Sequence, residues 1–168
     1  MKLPLILKGQ NIFIDGESLH GLVGDIERPK ITQKMEEYRA GGMIAPVSIF
    51  HGIEKLSMSV TIGGIGADVL KMMGGKIDSK PIRFSGNAER DDEVGFVRVV
   101  GEASGRITEV DQGTDTQGEN GETKLNIELV RYKETVGGVV VIDIDVLQNK
   151  YIVDGVDMYK DFNKGLGL

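Results

Sequence analysis

The sequence predicts a mainly β fold: a β-barrel or sandwich core with long extended hairpins and one or two short α-helices, in a single domain spanning residues 1–168. Three observations carry this. Apolar and polar residues alternate with period two in several separate segments. Most of the 24 glycines stand at joints between those segments. Helical periodicity is confined to two short stretches.

In chain order, Asn11-Ile12-Phe13-Ile14 followed by Asp15-Gly16 reads as a strand entering a tight turn. Residues 56–62 (Leu-Ser-Met-Ser-Val-Thr-Ile) alternate strictly. Residues 82–89, 124–129 and 140–146 repeat the pattern, so each presents one face to a core and one to water. The pairs Gly41-Gly42, Gly63-Gly64, Gly74-Gly75 and Gly137-Gly138 punctuate the strands. A short helix is expected at about Ala67–Met73, and a second at about Val156–Asn163 with Asp157 in its first turn.

One segment fits a solitary domain poorly. Residues 28–39, Arg-Pro-Lys-Ile-Thr-Gln-Lys-Met-Glu-Glu-Tyr-Arg, read as extended but polar on both faces. Such a strand gains little by packing on its own core. It turns through Ala40-Gly41-Gly42-Met43 and returns through Pro46-Val47-Ser48-Ile49-Phe50. The expected product is a projecting hairpin, marginally stable alone, whose open edges are suited to pairing with a neighbouring copy.

Composition narrows the function. The chain is 40% hydrophobic and 27% charged, which is globular. Aromatics are 5% with no Trp, which argues against stacking platforms for sugars or single-stranded bases. With no Cys there is no disulfide, thiolate nucleophile or Cys-ligated zinc. The start has a short apolar run without a cleavage site, and no run is long enough for a membrane span, so cytosolic synthesis is expected. The net charge is -6, and the segment Glu109–Asp145, with nine acids against three bases, accounts for all of it. No basic face for DNA phosphates is left. The segment reads either as a solubilising surface or as a surface from which DNA is repelled, and Asp111, Asp115, Glu128, Asp143 and Asp145 are its candidate residues.

Motifs for catalysis or cofactors do not assemble. Gly64-Ile65-Gly66 is followed by Val69 where a dinucleotide loop needs its third glycine. Asp111, Asp115 and Glu122 occupy positions 1, 5 and 12 of a calcium loop, but Thr116 stands where the turn requires glycine. His20 and His51 lack metal-binding spacing. No Gly-x-Ser-x-Gly elbow occurs. Neighbouring carboxylates such as Glu36-Glu37 point to opposite faces of a strand. The sequence therefore predicts no enzyme, cofactor or metal.

The run Arg28-Pro29-Lys30, then Glu37-x-Arg39-x-Gly41-Gly42-Met43 around Tyr38, then Ala45-Pro46-Val47, resembles the major tail tube proteins of contractile-tailed phages and R-type contractile bacteriocins. Asn11–Gly16, Val110-Asp111-x-Gly113, Gly121-Glu122, Tyr132-Lys133, Asp154-Gly155-Val156-Asp157 and the terminal Leu166-Gly167-Leu168 extend the resemblance along nearly the whole chain. Asp154 stands where that family often has Asn, Arg131 where an aromatic is usual, and residues 115–120 follow no family pattern.

The resemblance implies a subunit of a homohexameric ring. Rings stack into the inner tube of a contractile tail, each copy adding about four strands to an inner barrel of about 24, roughly 50 Å across the backbone. It implies as partners further copies of the chain, the tail sheath, baseplate and tail terminator proteins, and a tape measure protein in the lumen. DNA passes without sequence-specific binding, or ions leak in a bacteriocin. It implies assembly in the host bacterial cytoplasm and residence in the virion tail. Pro29, Lys30, Glu37, Tyr38, Arg39, Gly41, Gly42, Met43 and Pro46 are then the expected subunit-assembly residues. The alternatives are a tube that exports protein effectors and, further off, a small-ligand-binding β-barrel.

Overall fold

The computed structural model describes all residues, 1–168. Ten of its twelve strands form one rolled antiparallel sheet and two form a separate ribbon. The strands are β1 (Ile6–Ile14), β2 (Glu17–Ser18), β3 (Val23–Glu27), β4 (Gln33–Tyr38), β5 (Val47–Ile53), β6 (Leu56–Gly63), β7 (Lys80–Glu89), β8 (Phe96–Asp111), β9 (Glu122–Val136), β10 (Val139–Asp145), β11 (Lys150–Val153) and β12 (Val156–Asp157). Two helices complete the chain, α1 (Ala67–Leu70) and α2 (Lys160–Gly165).

The spine is β8 against β9, two strands of 16 and 15 residues. At about 3.4 Å per residue they run for roughly 50 Å. β9 is shared: Glu122–Leu129 pairs with β6, and Arg131–Val136 pairs with β10. β7 lies on the far side of β8 and β1 beyond it. The sheet rolls until β1 approaches β3, where the Gln10 side-chain amide donates to the Gly24 carbonyl at 2.7 Å. The result is a barrel-like body whose interior is filled by the alternate residues of its strands. Ile12, Ile14, Leu56, Val60, Ile62, Ile107, Leu125, Ile127 and Tyr132 are all essentially inaccessible to solvent.

β8 shows why its period-two pattern is faint in the sequence. Three successive inward positions are Gly101, Ala103 and Gly105. The Phe84 ring fills the place of a Gly101 side chain; a Cβ there would lie 2.1 Å from it. At Gly105 the β9 backbone itself closes in, and a Cβ would meet the Glu128 carbonyl oxygen at 2.0 Å. A register shift sits at Ser104/Gly105, so the bulge and the missing side chain are one feature.

Two helix expectations need correction. The first helix is a single turn ending at Leu70, and Lys71 and Met72 continue it only as turn. The second starts later than expected: Val156–Asp157 is strand β12, paired with β11, and the helix begins at Lys160. The reason lies in Asp154-Gly155, both at positive φ (48° and 77°), which turn the chain straight back in a two-residue hairpin. The left-handed conformation suits Asn or Asp, so Asp154 keeps the turn that Asn would make.

Candidate assembly site

β4 and β5 form the projecting ribbon. They pair with each other, from Gln33↔Ile53 to Tyr38↔Val47, and with no other strand. Both outer edges therefore carry main-chain groups without a strand partner. All six residues of β4 are exposed. On one face Tyr38, Val47 and Ile49 are 54%, 48% and 43% exposed, and beyond them Ile44 stands fully in solvent at the tip. The sequence reading identified the polar strand β4 but left this apolar return strand out of the site. The alternation Val47-Ser48-Ile49 was the signal that could have found it.

The expected assembly residues divide. Glu37, Tyr38, Arg39, Gly41, Gly42 and Pro46 lie exposed on the ribbon or its tip. Met43 is half-buried, its sulfur accepting the Ala40 N–H at 3.1 Å, while the Arg39 side chain donates to the Met43 carbonyl. Gly42, at φ 86°, turns the tip. Lys30 is exposed beside the ribbon's base, in a charged groove with Glu27, Lys55 and Lys124. Pro29 is the correction: it is buried and offers no contact surface.

The acidic segment also divides once partners are placed. Glu128 pairs with Lys55 at 2.7 Å, and the Lys55 hydrogen bond followed by its charge holds the Glu128 carboxyl below the usual range. Glu134 pairs with Arg28 at 3.1 Å. Asp143 corrects the expectation of an open acidic residue. It is 7% exposed, lies in register between Lys133 and Ile152, and accepts from Lys150 at 2.7 Å. Asp145 is half-buried and accepts the Leu147 and Gln148 N–H groups of the following turn. Within Glu109–Asp145 the exposed acids outside every ion pair are Glu109, Asp111, Asp115, Glu119 and Glu122, gathered at the far end of the β8–β9 spine. There Asp111 accepts the Gly113 N–H at 2.9 Å.

No group of His or acids is arranged to hold a metal ion. The one large pKa displacement belongs to Tyr132, raised by burial and then by the Glu134 carboxylate that accepts its hydroxyl. That tyrosine is structural, because it lies inside the packed core.

A family profile described as "Phage tail tube protein FII" matches residues 4–167. The chain belongs to this family. It is 34% identical to the "Tail tube protein" of Escherichia phage P2 over the whole of both chains. It is 31% identical to the "Major tail tube protein" of Serratia phage KSP20, over 96% of this chain and 94% of the other. Among solved structures, the fold is similar to a sheath/tube terminator of an extracellular contractile injection system, PVC. The TM-score is 0.59 at 12% identity, covering 80% of this chain and 99% of that one. The sheath–tube complex of the same system gives 0.59 at 11% identity, covering 79% and 91%. The tube-terminating cap of the anti-feeding prophage gives 0.58 at 14%, covering 80% and 93%. This chain is thus a tail tube protein of the structural kind, and its mainly β fold is shared with contractile injection machines.

Proposed function

We propose that copies of this chain close into hexameric rings, and that the rings stack into the inner tube of a contractile tail. The observation that carries this reading is the β4–β5 ribbon, which is complete only when another copy covers it. A two-stranded ribbon is marginal in water, and exposed apolar side chains beside open strand edges mark an interface. A ring of identical subunits satisfies the edges by closed symmetry, and head-to-tail stacking repeats the contact. The family membership supports a structural, non-enzymatic role in the virion tail. Sheath and terminator proteins are the natural outer partners, with a tape measure protein and then DNA in the lumen. The deciding experiment is negative-stain microscopy of concentrated purified protein. Tubes of uniform width with sixfold end views are expected; a strictly monomeric protein at high concentration would overturn the proposal.

For the bore, the unpaired acids favour the Glu109–Glu122 end over β10. Charge reversal at Asp143 would break a buried ion pair and report on stability instead. Asp111→Asn keeps the oxygen that accepts Gly113 N–H, and Asp115→Lys reverses a solvated charge. Tails carrying both changes are expected to assemble normally and to deliver DNA roughly ten-fold more slowly, because phosphate meets attraction where it met repulsion. Unaltered delivery, timed by single-particle ejection, would remove Asp111 and Asp115 from the bore.

A further inference from the structure

The ribbon shares no strand pairing with the body, so something else must fix its direction. At its base Glu54 N–H donates to the Thr32 carbonyl at 2.8 Å, and Ile31 and Ile53 rest against the core. Those apolar contacts hold the base down but are non-directional. Two directional contacts flank them. On the outgoing side Arg28 donates to Oε1 of Glu134 at 3.1 Å, while its guanidinium lies 5.7 Å from the centre of the Phe84 ring. Oε2 of the same carboxylate accepts the hydroxyl of Tyr132, and the Tyr132 and Phe84 rings are stacked. Arg28 is thus tied to two buried core aromatics. On the returning side the Phe50 ring meets the Tyr159 ring edge-on at 6.3 Å. Tyr159 is itself wedged against Tyr151 and Phe162, and its N–H is held by Asp157 at 2.9 Å.

We infer that Arg28–Glu134 and Phe50–Tyr159 are a two-point mount that aims the ribbon at the neighbouring subunit. These are positioning residues: they act by fixing the ribbon against its own body. The inference rests on the assembly reading above. The mount also gives the buried Pro29 a purpose, since its fixed φ joins the Arg28 anchor to the ribbon with one fewer soft torsion.

The test has a readout that does not require assembly. The chain has no cysteine, so Ala45→Cys at the tip and Arg98→Cys on β8 accept two spin labels. In the otherwise native monomer a narrow tip-to-body distance distribution is expected. In Arg28→Gln combined with Tyr159→Leu the distribution should broaden at least two-fold, while the β signature in circular dichroism persists. The same double variant should raise the protein concentration needed for tubes at least ten-fold, and Lys8→Gln, an exposed charge on β1 outside every ion pair, should do neither. An unbroadened distribution in the folded double variant would overturn the mount and leave the assembly reading untouched. Native protein that forms no tubes would instead strike the assembly reading. Should the double variant unfold, Glu134→Gln alone, which keeps a Tyr132 partner and removes the charge, gives the same comparison.

A second, independent observation concerns the exposed loop between β8 and β9. Asn120-Gly121 is the single Asn-Gly pair in the chain. Asn120 is exposed, and no acceptor holds the Gly121 N–H, whereas the Gly121 carbonyl is fixed by Gly64 N–H at 2.7 Å. The structure assigns Asn120 as a site of spontaneous deamidation. The Gly121 nitrogen bonds to Cγ of Asn120, the Cγ–Nδ2 bond breaks, and the displaced proton leaves with ammonia. Water then opens the imide to an aspartyl or isoaspartyl residue. Each event adds a negative charge to the loop that already holds Asp115, Glu119 and Glu122. Peptide mapping after storage in mildly alkaline buffer is expected to find an acid in place of the amide at Asn120 first, and Gly121→Ala to slow it several-fold. Gly121 has ordinary φ and room for a methyl group, so that variant folds. Another asparagine converting first, or no conversion at Asn120, would overturn the assignment.

Discussion

Removing Ala40–Ala45 and joining the strands through a two-residue Asn-Gly turn is expected to abolish tube formation while leaving a folded monomer. The body owes nothing to the tip. Its core of 18 residues contains none from β4 or β5, Ile44 is fully exposed in a single copy, and Pro46 is exposed beside it. Loss of a solvated turn should therefore change the melting temperature little, by about 3 °C or less. Assembly should be lost outright, because the tip extends both open edges and supplies Ile44 next to the Tyr38–Val47 pair. Interfaces concentrate their binding energy in a few central apolar and aromatic anchors. Sedimentation and negative-stain microscopy on matched protein measure the two halves of the prediction separately. Tubes of normal width from the shortened chain would remove the ribbon from the interface.

The second large effect lies in the spine. Gly105→Ala is expected to destabilise the fold by about 3 kcal/mol or more, near the upper end for an overpacked core site. For a chain of this size that lowers the melting temperature by roughly 10 °C. The obstacle is the Glu128 carbonyl oxygen at 2.0 Å, which is β9 backbone and cannot swing aside as a side chain could. Gly105 has ordinary φ, so the cost comes from space and not from conformational strain. Gly9→Ala is the matched control: it has ordinary φ and nothing within 4 Å of the added Cβ, so its melting point should stay near that of the native protein. Equal melting temperatures for the two variants would show that the close approach of β8 and β9 is not needed.

Much of this was legible before any fold was known. Strict alternation over Leu56–Ile62 predicted β6, and that strand buries Leu56, Met58, Val60 and Ile62 as the pattern requires. The two-sided polarity of residues 28–39 predicted a ribbon with no home on its own core, and β4 is exposed along its whole length. Other features were written in the sequence but misread. Asp154-Gly155 signalled the β11–β12 hairpin, yet a helical reading of the following residues obscured it.

The sequence by itself determined the β class and the projecting hairpin, because alternation and turn chemistry are local properties. Only the tertiary structure decided which charges remain free and which glycines are indispensable. Glu128 meets Lys55 across 73 positions of chain and Arg28 meets Glu134 across 106, so no local pattern could separate neutralised acids from exposed ones. Likewise no local pattern marks Gly101 and Gly105, because Phe84 and the β9 backbone, distant along the chain, occupy the space their side chains would need. Packing brings together residues that are distant along the chain, and it is there that the long strand β8, the buried Asp143 and the mount of the ribbon were decided.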